Sequence, residues 1–471
     1  MDLTHYIGGE AVAGSDRYES RDPYRGGVVC TAPTASAAEV DAAVAAARRA
    51  APEVAAMPAF ERAAILHRVA ELVVERADEI GEIMSRETGK ALVDAKGEVA
   101  RSKDTLTLSA EEAIRIEGAH VPLEGSAMGQ GKMAFLMRFP VGVVGAITPF
   151  NAPFNLACHK LGPALAAGNA TIIKPPQQCP MVVQRLVELF YDAGLPRDFI
   201  QVIHGGAATG QALVAHKGVD MLTFTGSSRA GAHIRANAGL RPVTLELGGA
   251  GPTIVCEDAD LDAIAPVLAK NATRLAGQSC ISVQTIHAPR ALAGLLGEKV
   301  AAEMEKLRLG DPLSDDTDVG TLIDEDAARR VESWVEEAVG QGARLLTGGT
   351  RSEAAYAPTL LADVTPEMKV VCDEVFGPVA SILPYDDLET AARLVSESAF
   401  GLQCGVYTDS TKRALWLYKR LRTGGVIING TSTWRTDQLA YGGVKDSGIG
   451  REGPRYAIHD MTEERLILFN H

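Results

Sequence analysis

Apolar residues recur at helical spacing through the first quarter of the chain. Ser36-Ala37-Ala38-Glu39 reads as a capping box, in which the serine hydroxyl accepts from a backbone N–H and the glutamate reaches back to the cap. The alanine-rich run behind it, and the run from Phe60 to Ala77, place apolar side chains three and four residues apart. The stretch to about Glu117 is therefore expected to be mainly helical. From Val121 to Arg138, two short segments flank Gly129-Gln130-Gly131, the pattern of a β-hairpin turned by glycine.

From Pro140 the rhythm changes. Val141 to Ile147 predicts a strand, and Leu156 to Ala167 a helix closed by Gly168-Asn169. Ala170 to Lys174 predicts a strand ended by Pro175-Pro176, and Val182 to Ala193 a helix closed by Gly194. Phe199 to Ile203 and Met221 to Phe224 follow as strands with a helix between them. Strand and helix in alternation predict a parallel, doubly wound sheet. A second α/β run starts near Thr244 and reaches about Asn429, and Arg465 to Phe469 is a terminal apolar strand. Like the hairpin, that strand leaves edges unpaired unless another chain or its own subunit covers them.

The 471 residues exceed the roughly 250–300 at which a single core stops growing, so at least two domains are expected. With 46% hydrophobic and 23% charged residues the chain is of ordinary globular composition. Its formal charge of -14 disfavours nucleic acid as a partner. No run approaches the ~20 apolar residues of a membrane span, and the N-terminus lacks the blocks of a signal peptide. Seven scattered cysteines form neither a disulfide framework nor a metal-binding pattern, which points to a reducing cytoplasm and no metal.

Four local features carry chemistry. Gly226 to Gly231 follows a strand and opens a helix, a place where backbone and helix N-terminus meet phosphate, although a plain strand-to-helix turn has the same appearance. Cys280 stands among small polar neighbours in Gly277-Gln278-Ser279-Cys280-Ile281-Ser282, where a thiol is accessible, whereas a lone cysteine is usually apolar filler. Glu246, flanked by leucines at a strand end, reads as a desolvated general base or as half of a structural ion pair. Asn151, in a stiff loop between Pro149 and Pro153, reads as an oxyanion donor or as a turn former.

Taken together, Pro-Phe-Asn-Ala-Pro, Ile173-Lys174-Pro175-Pro176, Phe-Thr-Gly-Ser-Ser, Leu-Glu-Leu-Gly-Gly, Gly-Gln-Ser-Cys and Glu374-Val375-Phe376-Gly377-Pro378 resemble, in that order, the motif series of the aldehyde dehydrogenase superfamily. The resemblance runs from near residue 5 to the end. It implies an α/β fold with a Rossmann-like cofactor domain (1–118 and 140–244), an α/β catalytic domain (245–440) and a small β oligomerisation arm (119–139 and 441–471), in a homodimer or homotetramer. It also implies roles. Cys280 is the nucleophile, Asn151 and the Cys280 N–H form the oxyanion hole, Glu246 activates water, and Lys160 assists proton movement. Thr148, Pro149, Phe150, Lys174, Gln177, Gly226, Ser227, Gly231, Leu247, Glu374 and Phe376 line the cofactor, NAD or NADP. The reaction implied is oxidation of an aldehyde to its acid through a thiohemiacetal and a thioester.

Residue 177 and the funnel lining refine that expectation. Many NAD-preferring members carry glutamate where this chain has Gln177, and a neutral amide does not repel a 2′-phosphate, so NADP acceptance is expected. The funnel is expected to be lined by Asn155 and His159, one helical turn apart, by Ser279 and Ile281 beside the nucleophile, and by Thr433-Trp434-Arg435. Two readings stand for Arg435: an anchor for an anionic tail, or a surface or interface residue. This polar lining favours a small hydroxylated or anionic aldehyde, and with Arg451-Glu452-Gly453-Pro454 it is most similar to the lactaldehyde, phosphonoacetaldehyde and non-phosphorylating glyceraldehyde-3-phosphate branch. Succinate semialdehyde is a further candidate. A CoA-acylating semialdehyde dehydrogenase and a non-catalytic structural relative are the alternatives.

Overall fold

The apolar run Val143–Ile147, buried at every position, sits in the middle of an eight-stranded sheet. Its order is Glu10–Val12, His5–Ile7, Ile200–Val202, Ala170–Lys174, Val143–Ile147, Met221–Thr225, Val243–Glu246 and Gly448–Ile449. The five central strands are parallel and the flanking ones antiparallel. This computed structural model describes residues 1–470.

A second sheet has seven strands, in the order Arg344–Thr347, Thr359–Ala362, Val379–Tyr385, Thr285–Pro289, Pro252–Val255, Gln403–Tyr407 and Gly425–Ile428. All its neighbours are parallel except the first pair. Each sheet has its own apolar core. The expected hairpin is present, with Ala119–Val121 pairing Lys132–Pro140 across a connection that holds two short 3-10 turns. Thr462–Asn470 pairs the other edge of Lys132–Pro140 and exposes Leu466, Ile467, Leu468 and Phe469.

The capping box at Ser36 forms, and the helices Ala37–Ala56, Ala59–Glu75, Ala77–Thr88 and Leu92–Ala113 follow it. The N-terminal expectation needs one correction. Four short strands lie between His5 and Pro33, and two of them are three-residue pieces, of which His5–Ile7 pairs with the distant Ile200–Val202 and Glu10–Val12 adds to its other edge. Strands that short carry too little alternation to be read locally. Membership of the first sheet also extends to Glu246, and Gly448–Ile449 returns to it.

The helix Pro153–Ala167 is buried on every side. Proline at its first turn, and Gly168 in the left-handed region (φ 87°) at its end, set its limits. It has no side-chain cap of its own. Glu98 of Leu92–Ala113 supplies one, accepting from the Phe154 and Asn155 N–H groups at 3.0 Å each, while its other oxygen pairs with buried Lys90.

Candidate active site

Parallel strands end together. Register pairs Ile147 with Lys174 and Thr225 with Glu246, so the loops after four strands of the first sheet open at one edge. There the N-terminal loops of the second sheet meet them around a cavity of about 600 Å³. Thr148, Pro149, Phe150, Asn151, Lys174, Gln177, Gly226, Ser227, Glu246 and Leu247 line it from one side, and Ser279, Cys280, Ile281, Glu374, Phe376 and Arg435 from the other. Such a crevice at the strand ends is where α/β sheets bind ligands.

The chain enters Cys280 through three left-handed residues, Leu275 (φ 57°), Ala276 (φ 51°) and Gly277 (φ 70°). At Gly277 a side chain is excluded, since a Cβ would stand 1.9 Å from the Gly377 carbonyl oxygen. This turn leaves the Cys280 N–H without an acceptor among the described residues, and the Asn151 side chain likewise makes no hydrogen bond. The Cys280 Sγ lies 3.3 Å from the Tyr441 hydroxyl. Burial pushes the thiol up to about 12.

Glu246 is 4% exposed, and neither of its carboxylate oxygens has a partner. Burial, and the Glu452 charge beside it, push its pKa well above the usual carboxylate range. Lys160 stands beyond the cavity lining, donating to Thr225 (2.8 Å) and Thr223 (3.2 Å) and lying 3.7 Å from the Glu452 carboxylate. Burial lowers its pKa.

Arg435 is buried rather than at the surface. Its side chain is 6% exposed, Nη2 donates to Glu452 at 2.8 Å, and the guanidinium carbon lies 3.7 Å from the centroid of the Tyr441 ring. Its Nε has no partner. His159 corrects the expected funnel, because it lies behind the lining with no exposed side chain, Nε2 3.2 Å from Asp437 and 3.2 Å from Arg435. Asn155 does reach the cavity, held by Thr105 at 2.9 Å. The same Thr105 hydroxyl lies 2.7 Å from the carboxylate of Asp437, which pairs with Arg101.

The far end of the cavity fits a dinucleotide. Ser227 caps the helix Ser228–Asn237, whose N-terminus presents free N–H groups to a phosphate. Lys174, lowered by burial to about 8, donates only to the Pro175 carbonyl and has no ion-pair partner among the described residues. Gln177 lines this end and is exposed. Glu374 accepts from the Gly249 N–H at 3.1 Å, and burial raises it to about 7. Phe376, itself left-handed (φ 50°), meets Phe150 edge to face at 5.8 Å. Gly231 lies outside the lining. A Cβ there would stand 2.4 Å from Leu247 Cδ2, so its part is to seat the helix against the chain beyond Glu246.

A sequence profile described as the aldehyde dehydrogenase family matches residues 11–467. The chain belongs to the aldehyde dehydrogenase family. It is therefore an oxidoreductase acting on the aldehyde group. A 3-sulfolactaldehyde dehydrogenase from Priestia megaterium is 43% identical over 466 residues, covering 99% of this chain and 97% of that one. The solved structure of an NADP-dependent glyceraldehyde-3-phosphate dehydrogenase from Bacillus halodurans, complexed with NADP, superposes with a TM-score of 0.97 at 36% identity, covering 100% and 99% of the two chains. Aldehyde dehydrogenase 21 from Physcomitrella patens, solved with the reaction product succinate, gives 0.96 at 36% identity over 99% and 98%. In this aldehyde dehydrogenase the residues for which sequence reasoning found no individual role are Glu452, Tyr441, Asp437, Arg101 and Glu98. All but Asp437 line the cavity, and all act through partners remote in the chain.

Proposed function

We propose that this aldehyde dehydrogenase oxidises small polar aldehydes with an anionic tail to carboxylic acids, with NAD(P)+ as oxidant. The observation that carries the reading is the grouping, in one cavity, of Cys280 with its unclaimed N–H, unbonded Asn151 and unpartnered Glu246. The Cys280 thiolate attacks the carbonyl carbon, and the new oxyanion takes two donors, the Asn151 amide and the Cys280 N–H, each typically worth a few kcal/mol. When bound, NAD(P)+ accepts the hydride as the thiohemiacetal collapses. The thioester left on Cys280 is then cleaved by a water whose proton passes to Glu246, a carboxylate made basic by burial. Lys160 and Glu452 stand behind Glu246 as neighbours that can exchange that proton onward.

For the tail, Arg435 offers a buried, unpartnered Nε, and Arg101 lines the same wall. The sulfonate and succinate in the names of the similar proteins fit this chemistry. Lys174 and Gln177 would hold the adenine ribose, Glu374 the nicotinamide ribose, and Ser227 with its helix the diphosphate. The absence of a carboxylate at Gln177 favours acceptance of NADP. The cofactor domain, the catalytic domain and the arm follow the two large sheets and the three-stranded one. Assembly through the exposed strand Thr462–Asn470, and a reducing compartment for seven free cysteines, complete the reading.

The test is NAD(P)H absorbance over 3-sulfolactaldehyde, phosphonoacetaldehyde, succinate semialdehyde and lactaldehyde, with both cofactors and with Cys280→Ala beside the parent. Turnover highest on the anionic aldehydes is expected, with at least about a thousandfold loss in the variant. Acyl-CoA release in the presence of CoA, or turnover that survives in Cys280→Ala, refutes the hydrolytic thioester route.

A further inference from the structure

Tyr441 has no assigned task, yet its hydroxyl is the group nearest the nucleophile, 3.3 Å from Cys280 Sγ. That sulfur is the only hydrogen-bond partner of the hydroxyl among the described residues. The side chain is 5% exposed and packs with Ile281 and Leu402 around Cys280. Its backbone is fixed by a reciprocal bridge to Glu452, with N–H to O distances of 3.0 and 2.6 Å. The Glu452 carboxylate in turn holds Arg435, whose guanidinium carbon sits 3.7 Å from the centroid of the Tyr441 ring. Backbone, ring and hydroxyl are thus each held in place.

From this geometry we infer that Tyr441 is a catalytic residue, donating its hydroxyl hydrogen to the Cys280 thiolate. The reading rests on Cys280 as the nucleophile. The equilibrium concerned is Cys280 S–H going to S⁻ with its proton released to solvent, and Tyr441 keeps its own proton throughout. In the thiol form either atom donates. Once the sulfur is ionised, the hydroxyl turns to donate to it, and a hydrogen bond to a charged acceptor is roughly twice as strong as one between neutral groups. The arginine over the ring withdraws electron density from the phenol and makes it a better donor. The groups facing Cys280 are Tyr441, Glu374, Arg435 and Glu246. Burial and the two carboxylates oppose the thiolate, while Tyr441 and Arg435 favour it. Burial also keeps the Tyr441 phenol protonated, well above its ordinary range. Burial holds the thiol above its ordinary range, and the Tyr441 hydroxyl is the one group bonded to the sulfur that offsets this, as a nucleophile near neutrality requires.

Tyr441→Phe removes one oxygen and preserves the ring that fills this wall. The readout is the rate of iodoacetamide alkylation of Cys280 from pH 6 to 10, followed peptide by peptide. Exposed Cys372 in the same sample serves as the internal reference. The variant is expected to alkylate Cys280 about tenfold more slowly throughout this range, with Cys372 unchanged. Superimposable Cys280 profiles overturn the proposal, since a ring that only packs would leave them so. A parallel slowing at Cys372 overturns it too. The assay contains neither aldehyde nor cofactor, so a failure of the functional reading appears in the turnover screen and not here.

Discussion

The two ends of the cavity are built on opposite electrostatic plans. On the substrate side nearly every charge meets a counter-charge: Arg101 with Asp437, Arg435 with Glu452, Lys160 beside Glu452. On the cofactor side Lys174 and Glu374 have no ion-pair partner, and burial moves both towards neutrality, to about 8 and about 7. Unpaired buried polar groups cost folding free energy unless something satisfies them. The cofactor end therefore carries a cost that a bound dinucleotide would relieve, whereas the substrate end is already assembled. A preassembled wall also loses less on ordering when a small aldehyde arrives.

Glu246 tests that comparison hardest, because it lies on the paired side and yet has no partner for either oxygen. If it is a poised base, Glu246→Gln should release about one NAD(P)H per site in a burst and then turn over roughly a hundredfold to ten-thousandfold more slowly. Stopped-flow absorbance resolves the two phases. The sign of the stability change follows from the raised pKa. A carboxyl whose folded pKa lies above its unfolded 4.5 contributes stability below pH 4.5, and that contribution is lost as pH rises towards the folded value. The glutamine variant should therefore melt higher than the parent at pH 8, with the gap closing towards pH 4.5. A lower melting temperature at pH 8 with turnover intact would make Glu246 a structural member of the paired wall.

A matched pair of substitutions sets the two ends against each other. Glu452→Gln strips counter-charge from Arg435 and Lys160, and breaking a buried pair typically costs about 3–5 kcal/mol, roughly 6–20 °C of melting temperature for a domain of 150–250 residues. Glu374→Gln removes a carboxylate that makes no direct ion pair, Arg330 acting on it only at a distance, while glutamine can still accept from the Gly249 N–H. Here too the folded pKa is raised, from 4.5 to about 7, so the carboxylate's contribution is fully present below pH 4.5 and gone above about pH 7. At pH 8 this variant should melt at or above the parent. Differential scanning fluorimetry decides, and equal losses at both positions would erase the distinction between the ends.

How far the sequence exposes the site depends on where each partner sits. Asn151, Lys174, Gly226 and Glu246 follow strand ends, so a run of apolar residues closed by glycine or proline points straight at them. Cys280 is legible by its small polar neighbours. The paired wall carries no such signal, since Arg101 meets Asp437 across 336 residues and Cys280 meets Tyr441 across 161. His159 shows the limit of helical spacing. One turn from Asn155 it shares a face, but the cavity ends at Asn155, and the loop carrying Arg435 and Asp437 covers the next turn. The three-residue strand His5–Ile7 escapes for a related reason, because its place in the sheet comes from pairing with Ile200–Val202, and Glu10–Val12 joins the sheet only through it.

The smallest expected effect concerns Gln177, at the open end. Its side chain is exposed and neutral, and Gly206 is close enough that a Cβ there would stand 2.9 Å from its amide oxygen. Lys174, three residues before it, lines the same cavity and has no carboxylate partner among the described residues. A 2′-phosphate at this end would meet no negative charge from residue 177, while a ribose hydroxyl would find there an amide that can bond it. Gln177→Glu would add a charge of the same sign as the phosphate and would tie up Lys174. Like-charge opposition at a partly solvated site is screened, so a shift of about tenfold from NADP towards NAD in kcat/KM is expected rather than an absolute switch. Because the carboxylate can hydrogen-bond the 2′-hydroxyl of NAD, the KM for NAD should fall as the KM for NADP rises. Unchanged discrimination would mean that the adenine ribose lies beyond reach of residue 177, and the open end would then owe its NADP tolerance to Lys174 alone.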